Sequence, residues 1–401
     1  MRLGFFARDA YTPCFSMRKL PIFALAFNQS LASSMLGRGA FFVTANRFGF
    51  SDAAQLWVSL GCGLAYVAGA LLSHRCARAF GSRRHMVGVA VAHAVLASAA
   101  ALWPVPVVVV PVIIAGGAVF GTFWPILESY VAGGECSAGM IRSVGRFNLS
   151  WATALPLGLS LSGALTAWSA GALFAVCAFA EIFAWSLARR LPAEPHEYGS
   201  DDVQPLSDPP AEWGGLLHGH RVLMVAAYLS AFTVQPLLPR ILSDLEVPVR
   251  WAGFWASLLD WMRVVVFWAG GMWAGWHGRR SVVRFISIAV PVGFGMILVG
   301  ADSFAWVVIG QIVFGFGAGG AYYGSLYYGL ALDRGSAEAG GAHEAMIGTA
   351  FSMGPALGLI GLWMVPASHG RSAGLLAIIL PVLLLCSAVS WIQTRRVCRD
   401  A

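Results

Sequence analysis

Apolar stretches of about twenty residues recur along nearly the whole chain, and this recurrence constrains the fold more than any motif does. A helix needs roughly 20 apolar residues to cross the hydrocarbon core of a bilayer, and a spanning chain must satisfy every backbone group internally. Hydropathy predicts twelve such spans, at residues 20–45, 54–73, 86–103, 107–131, 147–168, 171–189, 221–243, 250–274, 282–300, 304–331, 345–366 and 372–392. Only 11% of the 401 residues are charged, where a soluble chain has roughly 25%. The expected fold class is therefore an all-α integral membrane protein in a lipid bilayer.

The arginines set the orientation. With alternate loops assigned to opposite sides, the clusters at 75–84, 189–190, 279–284 and 395–399 fall on the side that holds both termini. Arg47, Arg240, Arg250 and Arg371 remain on the other. The positive-inside rule makes both termini cytoplasmic, and a plasma (inner) membrane is the expected location. The formal charge of +7 is thus a topology signal. No soluble face gathers the arginines, so nucleic acid is not an expected partner. The seven cysteines show no CxxC or metal-ligand spacing and read as small core residues. Residues 1–19 lack the compact apolar core of a signal peptide and are expected to form a cytoplasmic tail.

Residues 191–220, rich in Pro, Gly, Asp and Glu, read as a flexible cytoplasmic linker. It separates two bundles of six spans, at 20–190 and 221–394, with a short tail at 395–401. The halves echo each other. Span four carries AGGAVFGTFWPILESYVAGGE (115–135) and span ten AGGAYYGSLYYGLALDRGSAE (318–338), and spans five and eleven are both rich in small residues around a central proline. Internal repeats of this kind mark transporter architectures.

After span eight the chain reads Gly271, three residues, Gly275, two residues, then Gly278-Arg279-Arg280. This resembles the G-x-x-x-D-x-x-G-R-R loop of the major facilitator superfamily, with Gly275 where that family usually has aspartate. GALLSHRCARAFGSRR (69–84) is similar to a looser copy, and Gly354-Pro355 resembles the family's helix-bending pair. The resemblance implies two pseudo-symmetric six-helix bundles around a central cavity, lined mainly by spans one, four, seven and ten. It also implies a conformational loop that includes Gly271, Gly278, Arg279 and Arg280, although the missing aspartate removes the usual charge latch.

Charged groups inside spans are the first functional candidates, because each costs about 3 kcal/mol in hydrocarbon on insertion scales. Asp260 and Arg263 leave one face of span eight, either as a structural pair or as a proton-coupling carboxylate beside a substrate-binding arginine. Arg38 lies at about the same depth in span one, either in the cavity or reaching the outer interface, so a three-charge cluster is open to it. Glu128, near the inner end of span four, is a second candidate for proton coupling; helix-end solvation is the alternative. Asn28, Gln29, Gln235, Tyr323 and Tyr327 are candidate substrate ligands, and the tyrosines fit an aromatic interface belt equally well. Glu181, in peripheral span six, is expected to bond a neighbouring helix.

No Walker loop, dinucleotide fingerprint or metal-binding His pair occurs, and GAGGA (317–321) is intramembrane and apolar. An enzyme is not expected, nor a metal or other cofactor. The expected function is secondary active, proton-coupled transport of a small polar or amphipathic solute by a monomer through alternating access. The alternative is a non-transporting sensor or receptor on the same scaffold.

Overall fold

A computed structural model describes residues 19–132, 137–195, 210, 212–332, 337–365 and 370–396. The terminal tails and most of the linker lie outside the described residues. Within them the chain is helical, and the elements follow the predicted spans. Span one is α1 (Leu20–Ser34), a π turn (Met35–Gly39) and α2 (Ala40–Asn46). Spans two to six are α3 (Asp52–Phe80), α4 (Ser82–Leu102), α5 (Pro106–Ala132), α6 (Ser137–Trp168) and α7 (Ala170–Ala188). Span seven is α8 (Glu212–Val234) followed by α9 (Leu238–Asp244), and span eight is α10 (Val249–Ala256) followed by α11 (Leu258–Met272). Spans nine to twelve are α12 (Arg280–Val299), α13 (Phe304–Leu332), α14 (Ala337–Met364) and α15 (Gly370–Arg396).

Among the described residues, eight helices are long and apolar enough to cross a membrane, or nine when α8 and α9, bent by 52° at their break, count as one. The twelve-span expectation is thus met in part. Spans one and eight are interrupted within the bilayer, and α6 is diluted by Ser, Thr and Gly. Turn chemistry places the boundaries. Ser51 and Ser169 cap α3 and α7 by accepting from the N–H of Ala54 and Ala172 at 3.2 and 3.1 Å. Gly81 turns the chain between α3 and α4 at φ 84°, a conformation open to glycine.

The sequence repeat is also a packing repeat. In the first half α1 packs on α6, α3 on α5 and α4 on α7; in the second, α8 packs on α14, α11 on α13 and α12 on α15. The halves meet where α6 touches α10 and α11 and where α3 touches α14, two seams that the repeat exchanges. Glycines allow these approaches. A Cβ on Gly163 of α6 would lie 2.5 Å from the Val249 carbonyl oxygen and 2.6 Å from the Gly253 nitrogen, and one on Gly63 would lie 2.7 Å from the Phe351 carbonyl oxygen.

One domain boundary differs from expectation. The linker was expected to run to residue 220, but helix α8 begins at Glu212. Leu216, Leu217 and His220 are buried there, and the Trp213 ring packs 5.4 Å from Tyr328. These apolar contacts extend the helix into a stretch whose composition reads as polar linker. At the linker's other end, Glu194 accepts from the backbone N–H of Ser82 at 3.1 Å, the start of α4, where a carboxylate suits the helix dipole.

Candidate functional site

A cavity of about 190 Å³ lies between the halves. Its charged corner is assembled from two interrupted helices. The π turn Met35–Gly39 inserts an extra residue into span one and carries Arg38, a frequent use of such bulges. Gly39 fits against Ser162 of α6, while Gly37 faces open space on the cavity side. Across the cavity, α10 stops at Ser257, whose Oγ lies 3.0 Å from Ser160 Oγ of α6, and α11 then presents Asp260 in its first turn. Gly315 and Gly319 of α13 let that helix lie directly against Leu259 and Arg263.

Asp260 joins these parts. One carboxylate oxygen, Oδ2, accepts from Arg38 Nη1 at 2.6 Å; the other, Oδ1, accepts from Arg263 Nη1 at 3.0 Å. Arg263 Nη2 donates to the Tyr228 hydroxyl at 2.6 Å. The Arg263 guanidinium also lies 5.5, 5.2 and 5.9 Å from the ring centres of Trp151, Tyr228 and Tyr322. Cation–π attraction of this kind adds about 0.5–2 kcal/mol per contact. Asp260 and Arg263 are 1% and 6% exposed, so neither charge is relieved by bulk water. Arg38 Nη2 and Arg263 Nε are buried and have no hydrogen-bond partner.

Aromatic rings form part of the remaining wall, among them Phe120, Trp124, Phe147, Phe232 and Phe351, with Phe232 and Phe351 stacked at 4.2 Å. Glu128 of α5 and Glu344 of α14 also line it, and the Tyr66 hydroxyl donates to Glu344 Oε2 at 3.3 Å. Gln235, at the break between α8 and α9, lines the cavity.

Four predicted ligands sit elsewhere. Asn28 donates to the Ala180 carbonyl at 2.8 Å. Gln29, 1% exposed, donates from Nε2 to His93 Nδ1 at 2.7 Å and to Glu181 Oε1 at 3.0 Å. Both residues therefore point into the first bundle, because their face of α1 meets α7 and α4. His93 Nε2 lies 3.0 Å from the Gly116 carbonyl, which fits a neutral ring that donates there and accepts from Gln29. The expectation that Glu181 bonds a neighbouring helix describes this cluster.

Tyr323 and Tyr327 turn toward the loop after α11. Their rings pack 5.5 and 5.0 Å from Trp276, and Tyr327 stacks on His277 at 4.4 Å. Neighbouring residues on a helix diverge by about 100°, so it is Tyr322 that faces the cavity. In the loop, Gly278 takes φ 69° and donates its N–H to the Tyr328 hydroxyl at 2.9 Å. Gly271 and Arg279 are exposed, and Arg280 opens α12. Burial lowers the His277 pKa below the ordinary imidazole value.

Sequence reasoning missed Tyr66, Tyr228 and Glu344. The tyrosines are lone aromatics in apolar runs and carry no separate signal. Glu344 lies one residue before the hydropathy window of span eleven, and α14 begins earlier, at Ala337.

Comparison with known proteins agrees with this architecture. A structure of the nucleoside transporter NupG superposes with a TM-score of 0.65 at 14% identity, covering 96% of this chain and 99% of that one. A bacterial homolog to the human lysosomal transporter Spinster, in an inward-facing and unoccupied conformation, gives 0.67 at 12% identity, covering 98% and 99%. A D-xylose-proton symporter gives 0.65 at 14%, covering 94% and 98%. At such identities the likeness is one of fold. No curated protein sequence matches the chain. The model of the Major Facilitator Superfamily matches residues 22–358, and the chain belongs to that family of membrane transporters.

Proposed function

We propose that the protein is a secondary active transporter of a small polar or amphipathic solute, that it works by alternating access, and that the solute's anionic group binds at Arg38 and Arg263. One observation carries this reading: Asp260, from the second half, is the shared acceptor for Arg38 of the first half and for Arg263. An ion pair that spans the two halves must loosen when they rock apart. Two guanidinium groups and one carboxylate leave one positive charge, and both arginines line the cavity and keep an N–H without a partner. Buried charge of this kind is stable only when paired, so the corner is selective for acceptors.

Proton coupling follows from the same geometry. A proton on Asp260 removes its charge and frees both arginines for the solute; loss of that proton restores the bridge. Glu128, deeper in the cavity, is the second group through which a proton would pass. No ATP-binding motif accompanies the helices, so an ion gradient is the proposed energy source. The resemblance in fold to a proton symporter supports this reading without naming the solute.

The conformation also suits one of two alternating states. Arg240 Nε lies 3.6 Å from Asp52 and Arg240 Nη1 donates to the Phe50 carbonyl at 3.2 Å, close to the seam where Gly163 meets Gly253. With both termini cytoplasmic, these ties would close the outer side. The reading is tested by a thermal-shift screen of solutes on the purified protein, since a ligand of the folded state raises its apparent stability. Solutes bearing carboxylate, phosphate or carbonyl acceptors should stabilise the wild type and lose that effect with Arg263→Gln. Ligands that stabilise both proteins equally would overturn the arginine assignment.

A further inference from the structure

The cavity is charged at two places, and the second has no role in the scheme above beyond one glutamate. Glu128 and Glu344 come from different halves of the protein, and the strongest electrostatic neighbour of Glu128 is Glu344. Aromatic faces surround this pole: the Tyr66 ring, whose hydroxyl binds Glu344, lies 5.7 Å from Phe351 and 6.1 Å from Phe120. Two carboxylates brought together out of water repel, and a cation between them removes the repulsion. Aromatic rings beside carboxylates add to the attraction for an organic ammonium.

The poles are close enough to share a ligand. Tyr228 and Tyr322 line the same cavity as Arg38, Arg263, Glu128 and Glu344. At the arginine end, Arg263 is 6% exposed and its Nε has no partner, an unmet donor in a built site. A solute with one negative group would satisfy that end and leave the carboxylates facing each other. One with a single positive group would do the reverse. A solute carrying both supplies each missing counter-charge and adds no net charge to a cavity with aromatic walls.

We propose that the cavity is built for a dipolar solute: a carboxylate or similar group held by Arg38 and Arg263, an ammonium held between Glu128 and Glu344, and an apolar body lying against the rings of Trp151 and Tyr322. The proposal rests on the anion-binding reading of the arginines and adds the cationic end.

The test uses three probes that share a 2-phenylethyl unit, titrated by calorimetry into the full-length protein in nanodiscs: L-phenylalanine with both charges, 3-phenylpropionate with the carboxylate alone, and 2-phenylethylamine with the ammonium alone. The expected result is that phenylalanine binds about ten-fold or more tightly than either fragment, the scale of one charge-assisted contact. Glu344→Gln should bring phenylalanine down to the level of 3-phenylpropionate without weakening the latter, and Glu128→Gln should do the same. Arg38→Gln should weaken phenylalanine and 3-phenylpropionate while sparing 2-phenylethylamine. Equal binding of phenylalanine and 3-phenylpropionate to the wild type, with 3-phenylpropionate still sensitive to Arg38→Gln, would overturn the cationic pole and leave the anionic one standing. So would an unchanged ratio in both glutamate variants. Binding of none of the three would overturn both poles together, and binding of 2-phenylethylamine alone would overturn the anionic pole and with it the dipolar site.

Discussion

At the scale of single residues, Asp260 holds together what would otherwise be two unmatched cations, one buried and one half-buried. Asp260→Ala should therefore destabilise the folded protein by about 3–5 kcal/mol, the cost of breaking a buried ion pair from one side. Removing Arg263 as well, in Asp260→Ala/Arg263→Met, should recover part of the loss; reversible unfolding in detergent measures both. A different buried cluster predicts a loss without a binding effect. Glu181→Leu strips the Gln29 amide of an acceptor inside the first bundle, which should cost about 1–3 kcal/mol while leaving solute affinity unchanged in a parallel titration. The charged corner was legible in the sequence because three ionisable residues at one depth in apolar spans demand partners. The direction of the neighbouring polar residues was not. Gln29 and Tyr323 sit on the right helices, but only the packing of α1 against α4 and α7, and of α13 against the loop, decides which way they face.

At the scale of helices, interruptions place the chemistry. The π turn in span one and the stop at Ser257 in span eight bring Arg38 of the cavity wall onto Asp260, and hydropathy reads straight through both. The small residues of span five, by contrast, were visible in the sequence, and the structure places Gly163 among them at the seam, against Gly253. Gly253→Leu should prevent α10 from meeting α6 and shift the protein toward a state open on the side of Asp52. A cysteine in place of Asp52 should then react faster with a membrane-impermeant maleimide than it does beside Gly253. The loop after α11 offers a pH test. The lowered His277 pKa means that the native protein holds fewer protons there than the unfolded chain, so stability falls as pH drops through the ordinary imidazole range. Replacing His277 with Gln should reduce the drop in melting temperature between pH 7.5 and 5.5; an equal drop in both proteins would exclude His277 as a contributor.

At the scale of the whole molecule, the duplicated packing explains why so much of the architecture could be read from the chain. Twelve apolar stretches, a central linker and matching motifs in spans four and ten already imply two similar bundles, and the contacts repeat with the same offset. The cavity was harder to read, because it forms only where the bundles meet. Glu344 fell just outside a hydropathy window, and Tyr66 and Tyr228 look like any other aromatic in an apolar run, so the sequence offered one pole of the site and half of the other. The central claim is that Asp260 exchanges Arg38 and Arg263 for a proton as the halves rock. It is tested most directly in proteoliposomes, with a solute that the thermal-shift screen has identified and a pH gradient imposed across the membrane. The wild type should accumulate the solute against its concentration gradient, whereas Asp260→Asn should exchange it across the membrane without accumulating it. Full gradient-driven accumulation by Asp260→Asn would contradict the account.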